Sequence, residues 1–162
     1  MIRYYSTNRR LAGVDGITPF KGQVSFRDAL IQGQAPDEGL FMPEPIPALS
    51  IGEVLALKGA PYAETALLVA EAFLKDELPR EALREIVEDS YNFDVPLERV
   101  SGRLYIMRLD RGPTASFKDF AARMMARLMS RMRDPRNRPN VLVATSGDTG
   151  STLGEAFKGV EG

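Results

Sequence analysis

The sequence predicts an α/β fold, a parallel-sheet βαβ core preceded by a mostly helical N-terminal region. Three observations carry this. Apolar residues recur at helical spacing through residues 64–90 and again through residues 117–133. Two short apolar runs, Leu104–Met107 and Val141–Thr145, flank the second of these helices. The chain of 162 residues, 44% hydrophobic and 27% charged, has globular composition and length enough to bury a core. Strand, helix, strand and helix in this order make a βαβ unit with a right-handed crossover. A parallel sheet needs more strands and cover on both faces. The expectation is therefore an incomplete fold, with residues 1–100 a mainly helical region and residues 101–162 the start of an α/β domain.

Taken in order, Arg3–Thr7 is a short strand, and Ser25 with Asp28 opens a helix by a capping-box pattern. Pro36-Asp37-Glu38-Gly39 is a turn, followed by Leu40-Phe41-Met42 and a stretch punctuated by Pro43, Pro45 and Pro47. Ser50 with Glu53 is a second capping box; Glu64–Asp76 and Pro79–Ser90 are helices, with Pro79 suited to a first turn. Leu104–Met107 reads as a buried strand, Gly112-Pro113 as a turn, and Ser116 with Asp119 as the cap of a long helix ending near Arg133. After an Arg/Pro/Asn loop come the β-branched strand Val141–Thr145, the turn Ser146-Gly147-Asp148-Thr149-Gly150 and a last helix.

What is missing limits the chemistry. With no Cys there are no disulfides, thiolate metal sites or cysteine nucleophiles; with no His there is no Ser-His-Asp triad and no imidazole ligand. Catalysis within these residues falls to Lys, Asp, Glu, Tyr, a hydroxyl or a cofactor. The first residues lack the pattern of a secretory signal, and no run approaches the ~18 apolar residues of a membrane span, so a cytoplasmic location is expected. Charge is uneven: residues 1–102 hold 10 basic and 16 acidic side chains, and residues 103–138 hold 10 and 3. A basic segment suits nucleic acid, or else a solvated helix face and an Arg-rich loop. No aromatic interleaves Arg123–Arg138, so base stacking has no platform.

Two places carry chemistry. On a helical projection Lys118 is the one charged residue well inside the apolar arc, beside Ala121, Ala122, Met125 and Met129, with Asp119, Arg123, Arg127 and Ser130 on the polar side. It also lies near a helix N-terminus, where the dipole disfavours a cation. Either its ammonium snorkels past the helix end, or the amine is a nucleophile toward a carbonyl. The second place is Ser146-Gly147-Asp148-Thr149-Gly150, a strand-to-helix turn whose backbone N–H groups suit a carboxylate or phosphate. Asp148 is out of character in an anion site and fits a helix cap. Both turns follow the C-terminal ends of the expected parallel strands, the edge where α/β proteins bind ligands.

The stretch Leu109-Asp110-Arg111-Gly112-Pro113-Thr114-Ala115-Ser116-Phe117-Lys118-Asp119-Phe120 resembles the lysine motif of threonine synthases, and Ala144-Thr145-Ser146-Gly147-Asp148-Thr149-Gly150 resembles their second signature. Tyr4-Tyr5-Ser6-Thr7, Val24–Leu30 and Ala35–Pro43 agree with the same family. The departures, Ala115-Ser116 and Glu38, lie away from the chemistry. The resemblance implies a fold-type-II enzyme that turns O-phospho-L-homoserine and water into L-threonine and phosphate. Its cofactor, pyridoxal 5'-phosphate, would be held as a Schiff base on Lys118, with Phe117 packed near it. Ser146, Gly147, Asp148 and Thr149 would receive the substrate carboxylate. It implies no metal, no nucleic acid and no membrane, is compatible with a homo-oligomer, and places the cofactor's phosphate cradle in sequence beyond Gly162, so that this chain alone is expected to be inactive. Other fold-type-II enzymes such as serine/threonine dehydratases share a lysine and a Ser/Thr-Gly loop, although they usually carry Asn at the position of Asp148. A non-catalytic module binding anions or nucleic acid through the basic helix is the reading from a different class.

Overall fold

In the computed structural model, which describes residues 1–14 and 16–161, the chain begins with a small antiparallel sheet. Its central strand is β1 (Arg3–Ser6), flanked by β2 (Gln23–Val24) and β3 (Phe41–Glu44), with Tyr4 opposite both Val24 and Pro43. Alternation along β1 buries Tyr4 and Ser6. The Tyr4 ring meets Phe26, the first residue of α1 (Phe26–Gln32), at 5.7 Å between centroids. Ser25 caps α1 by accepting the Asp28 N–H at 3.0 Å. Ser50 and Glu53 form both halves of a capping box on α2 (Ile51–Ala56), as their spacing predicts, yet α2 buries no residue.

The main core lies among three helices: α3 (Tyr62–Leu74), α4 (Arg80–Ser90) and α5 (Asp119–Met132). Leu67, Ala70 and Leu74 of α3 meet Leu83, Ile86 and Val87 of α4 and Leu128 and Met132 of α5. These are the apolar positions that recur at helical spacing. Each fully buried Leu or Val there contributes about 1.5–3 kcal/mol of transfer free energy. A second cluster of small residues, Ala122, Ala126 and Ala156, seats α6 (Asp148–Phe157) on α5. Small side chains let these helices approach closely, which brings their N-termini together.

Strand pairing differs from the expectation. Leu104–Met107 is a strand, β5, but it pairs antiparallel with β4 (Leu97–Ser101) in a hairpin exposed along both strands. Val141–Thr145 belongs to no ladder among the described residues, so the expected parallel βαβ pairing is not formed between these two runs. β5 takes the partner two residues away across Gly102 and Arg103, a far smaller loop to close than a helical crossover, and its other edge is unpaired among the described residues. The mixed helix and strand composition expected of an incomplete α/β fold stands, with the strands in two small sheets among the described residues.

The polar side of α5 is also less solvated than its projection suggests. Asp119 and Arg123 are buried. Arg123 Nε donates to the Ser90 carbonyl at 2.7 Å and Nη2 to the Asp89 carbonyl at 2.8 Å, completing the C-terminal end of α4. Burial pulls the Arg123 pKa below arginine's ordinary value, and neighbouring Arg127 adds to this. Much of the positive charge of residues 103–138 is taken up internally, as Arg108 pairs with Glu98 and Asp110, Arg127 with Asp89, Arg131 with Glu85 and Arg136 with Asp134.

Candidate active site

Three elements build the site: the turn at residues 112–118, the start of α5 and the start of α6. Phe120 anchors α5 in an aromatic cluster, its ring 5.5 Å from Tyr62, 5.9 Å from Tyr91 and 5.4 Å from Phe93. The Tyr91 hydroxyl donates to the Phe120 carbonyl at 3.1 Å, and burial pushes this phenol up to about 12. Lys118, two residues before Phe120, therefore leaves a fixed helix end.

Ser116 does not cap the helix as the Ser-x-x-Asp spacing predicts. The N-cap position is Lys118 itself, and α5 starts at Asp119. The buried Ser116 hydroxyl accepts the Lys118 N–H at 3.3 Å and donates to Asp148 Oδ2 at 3.1 Å. The same Asp148 oxygen receives Lys118 Nζ at 2.8 Å. The ammonium beside Asp148, with the Ser116 hydroxyl, holds its carboxyl below the usual aspartate range.

Asp148 is therefore not a cap by its side chain. The N-cap of α6 is Gly147, at φ 137, a left-handed value that favours glycine, and it makes no side-chain capping bond. The first N–H groups of α6 have no partner within the helix and are donors for an anion. The Gly147 N–H is already directed to Thr145 Oγ1, at 3.3 Å. Only backbone at Asp148 suits a carboxylate ligand, because its own carboxylate would repel one. Ser146, Gly147 and Asp148 are exposed, while Thr149 faces Lys118 across a recess.

That recess, about 410 Å³, is lined by Phe117, Lys118, Phe120, Ala121, Met125, Thr149 and Leu153 among others. Its walls are almost wholly apolar, the Lys118 side chain included. Phe117 is 63% exposed, with its ring 5.7 Å from Lys118 Nζ. Met129 shares this arc but lies about three turns further along α5, where it lines other recesses rather than this one. A flat apolar wall, a primary amine and a helix N-terminus fit an aromatic aldehyde bearing an anionic group.

Thr114 and Thr152 are site residues that sequence reasoning missed, and Ser116, expected to lie away from the chemistry, belongs to the site through its hydroxyl on Asp148 Oδ2. Thr114 Oγ1 lies 2.8 Å from Asp119 Oδ1 and 3.0 Å from Thr152 Oγ1, and Thr152 Oγ1 lies 2.9 Å from the Asp148 carbonyl. The available signal was Asp119, a carboxylate at a helix start beside Lys118, with two hydroxyl residues upstream in reach. Among the described residues no three acidic side chains gather as a metal site, and no helix is long and apolar enough to cross a membrane.

Residues 3–91 match the family model described as threonine synthase N terminus. The chain is 41% identical to the threonine synthase of Haemophilus influenzae over 140 residues, 86% of this chain and 32% of that protein. It is 35% identical to the Escherichia coli threonine synthase over 138 residues, 85% of this chain and 32% of that one. The solved structure of a PLP-bound threonine synthase from Brucella melitensis superposes with a TM-score of 0.87 at 33% identity, covering 99% of this chain and 34% of that one. The chain thus spans about a third of the length of the relatives it matches. With the lysine turn and the Ser146–Gly150 turn joined at one recess, and with a match that begins at the first strand, the chain belongs to the threonine synthase family.

Proposed function

We propose that this chain carries the amine-bearing part of a pyridoxal-phosphate-dependent threonine synthase, acting on O-phospho-L-homoserine and water to give L-threonine and phosphate. The observation that supports the reading is Lys118, whose side chain lines an apolar recess while its Nζ is held 2.8 Å from Asp148 in the turn that opens α6. Lys118 would hold the cofactor covalently through this amine, with the Phe117 ring beside it. When bound, the cofactor would supply an electron sink for negative charge developing on the substrate's carbons.

The remaining work falls to this chain's residues. To attack a carbonyl, Lys118 Nζ must lose a proton and leave Asp148 Oδ2, where Ser116 stays as a hydrogen-bond donor to the carboxylate. With its amine free, Lys118 Nζ would be the group that moves protons at the substrate's Cα, Cβ and Cγ, as the γ-phosphate leaves and water adds at Cβ. Backbone N–H groups of Asp148 and Thr149 at the α6 N-terminus, with the Ser146 and Thr149 hydroxyls, orient the substrate carboxylate. The apolar wall of Ala121, Met125 and Leu153 limits water around the reacting carbons.

Borohydride reduction after incubation with pyridoxal phosphate tests the reading. A covalent adduct is expected on the peptide containing Lys118, absent in Lys118→Ala. An adduct retained on that peptide in the variant, or none in the parent chain with excess cofactor, refutes it.

A further inference from the structure

The Lys118 turn is held by a carboxylate that the reaction just described does not use. Asp119 is fully buried and has no ion-pair partner among the described residues. A buried carboxylate is unfavourable unless its oxygens are well hydrogen-bonded. Both oxygens here reach one residue: Oδ2 accepts the Thr114 N–H at 3.0 Å, and Oδ1 the Thr114 hydroxyl at 2.8 Å. On the other side the backbone comes so close that a Cβ on Gly112 would stand 2.4 Å from Oδ2. Between them Ala115 adopts φ 55, a left-handed conformation an alanine takes only where its surroundings impose it.

The hydroxyl directions follow. A carboxylate can only accept, so the Thr114 proton points to Asp119. The Thr152 hydroxyl, 3.0 Å from Thr114 Oγ1, is then the donor, toward Thr114 or toward the Asp148 carbonyl. The single Thr152 proton serves one of these two acceptors at a time, so Asp119, Thr114 and Thr152 form a close-packed polar row that ends 2.9 Å from the carbonyl of the residue that holds Lys118 Nζ.

We propose that Asp119, acting through Thr114, is the positioning residue of Lys118: its buried carboxylate clamps the 112–118 turn against α6 and so fixes where the amine meets a carbonyl. The proposal rests on the reading of Lys118 as the cofactor-bearing amine. It gives Asp119 a task that a helix-terminal carboxylate facing solvent would not have.

The test is the share of reduced pyridoxal-phosphate label on Lys118 relative to the four other lysines, Lys21, Lys58, Lys75 and Lys158, by peptide mapping of the whole chain. In Asp119→Ala and Thr114→Val that share is expected to fall about tenfold or more, the effect of losing a charge-assisted hydrogen bond. Thr114→Ser, which keeps the hydroxyl, is expected to retain the wild-type share. The other lysines act as an internal reference, since a merely unfolded chain labels all of them alike. If Asp119→Ala does not fold, as judged by its melting curve, the Thr114 pair decides alone. A wild-type share in Thr114→Val, or a loss in Thr114→Ser as large as in Thr114→Val, overturns the proposal. Absence of preferential Lys118 labelling in the parent chain overturns the cofactor reading and this proposal with it; preferential labelling that none of the variants changes overturns this proposal alone.

Discussion

Asp148 shows how one carboxylate oxygen can define a resting site. Its Oδ2 takes both the Lys118 ammonium and the Ser116 hydroxyl, so the amine is held in place before any ligand arrives. Because this carboxyl titrates lower in the folded chain than a free aspartate, its pairing contributes stability above the ordinary aspartate range. That contribution is lost as pH falls through the depressed folded-state value. In a carbon-detected NMR titration, Asp148 is expected to titrate below the ordinary value of about 3.9, and to move back up in Lys118→Ala. Unchanged titration in the variant would mean that Lys118 is not what holds Asp148 ionised. In the sequence, Lys118 was legible as a charge out of place on an apolar arc. Its partner was not, because an Asp after Ser-Gly reads as a helix cap, and only the approach of α5 to α6 turns its side chain elsewhere.

Among the elements, those fixed by local signals were read closely, and those fixed by distant partners were not. Helices α3, α4 and α5 follow from apolar period, and α2 from its Ser50 and Glu53 box. The pairing of β1 with β3 joins residues some forty positions apart, a signal that periodicity does not carry. The nearness of the two site turns was expected from a shared edge of a parallel sheet. What joins them in this chain is helix packing through Ala122, Ala126 and Ala156, with hydrogen bonds across the two N-termini. The core that supports this is concentrated: Leu83 of α4 is fully buried between α3 and α5. Leu83→Ala is expected to cost about 2–5 kcal/mol in denaturant unfolding, through lost transfer energy and the cavity left behind. A cost below about 1 kcal/mol would mean that the helices close over the gap.

At the scale of the whole molecule, a third of a family member's length folds around its own helical core while leaving a large apolar surface open. Leu97, Val100, Leu104, Tyr105 and Ile106 of the hairpin are all exposed, as are Val141, Leu142 and Val143. Patches of this kind mark surfaces that other protein normally covers. The 162-residue chain is therefore expected to bind a hydrophobic fluorescent dye and to associate with rising concentration in sedimentation velocity. Leu104→Lys combined with Ile106→Lys should reduce both, and unchanged dye binding in that double variant would place the sticky surface elsewhere. The hairpin has another consequence, for cutting the chain. Its tip is Gly102, at φ 52, with Arg99 and Arg103 on either side, both exposed to a trypsin-like protease. The core nevertheless joins α3 and α4 from before the tip to α5 from after it. A nick there severs the backbone at a point the packing does not depend on, leaving two pieces held together by Leu83, Ile86, Val87, Leu128 and Met132. The same tip is thus the natural seam for a split version of the protein, in which the amine-bearing piece is made separately and returned to its partner.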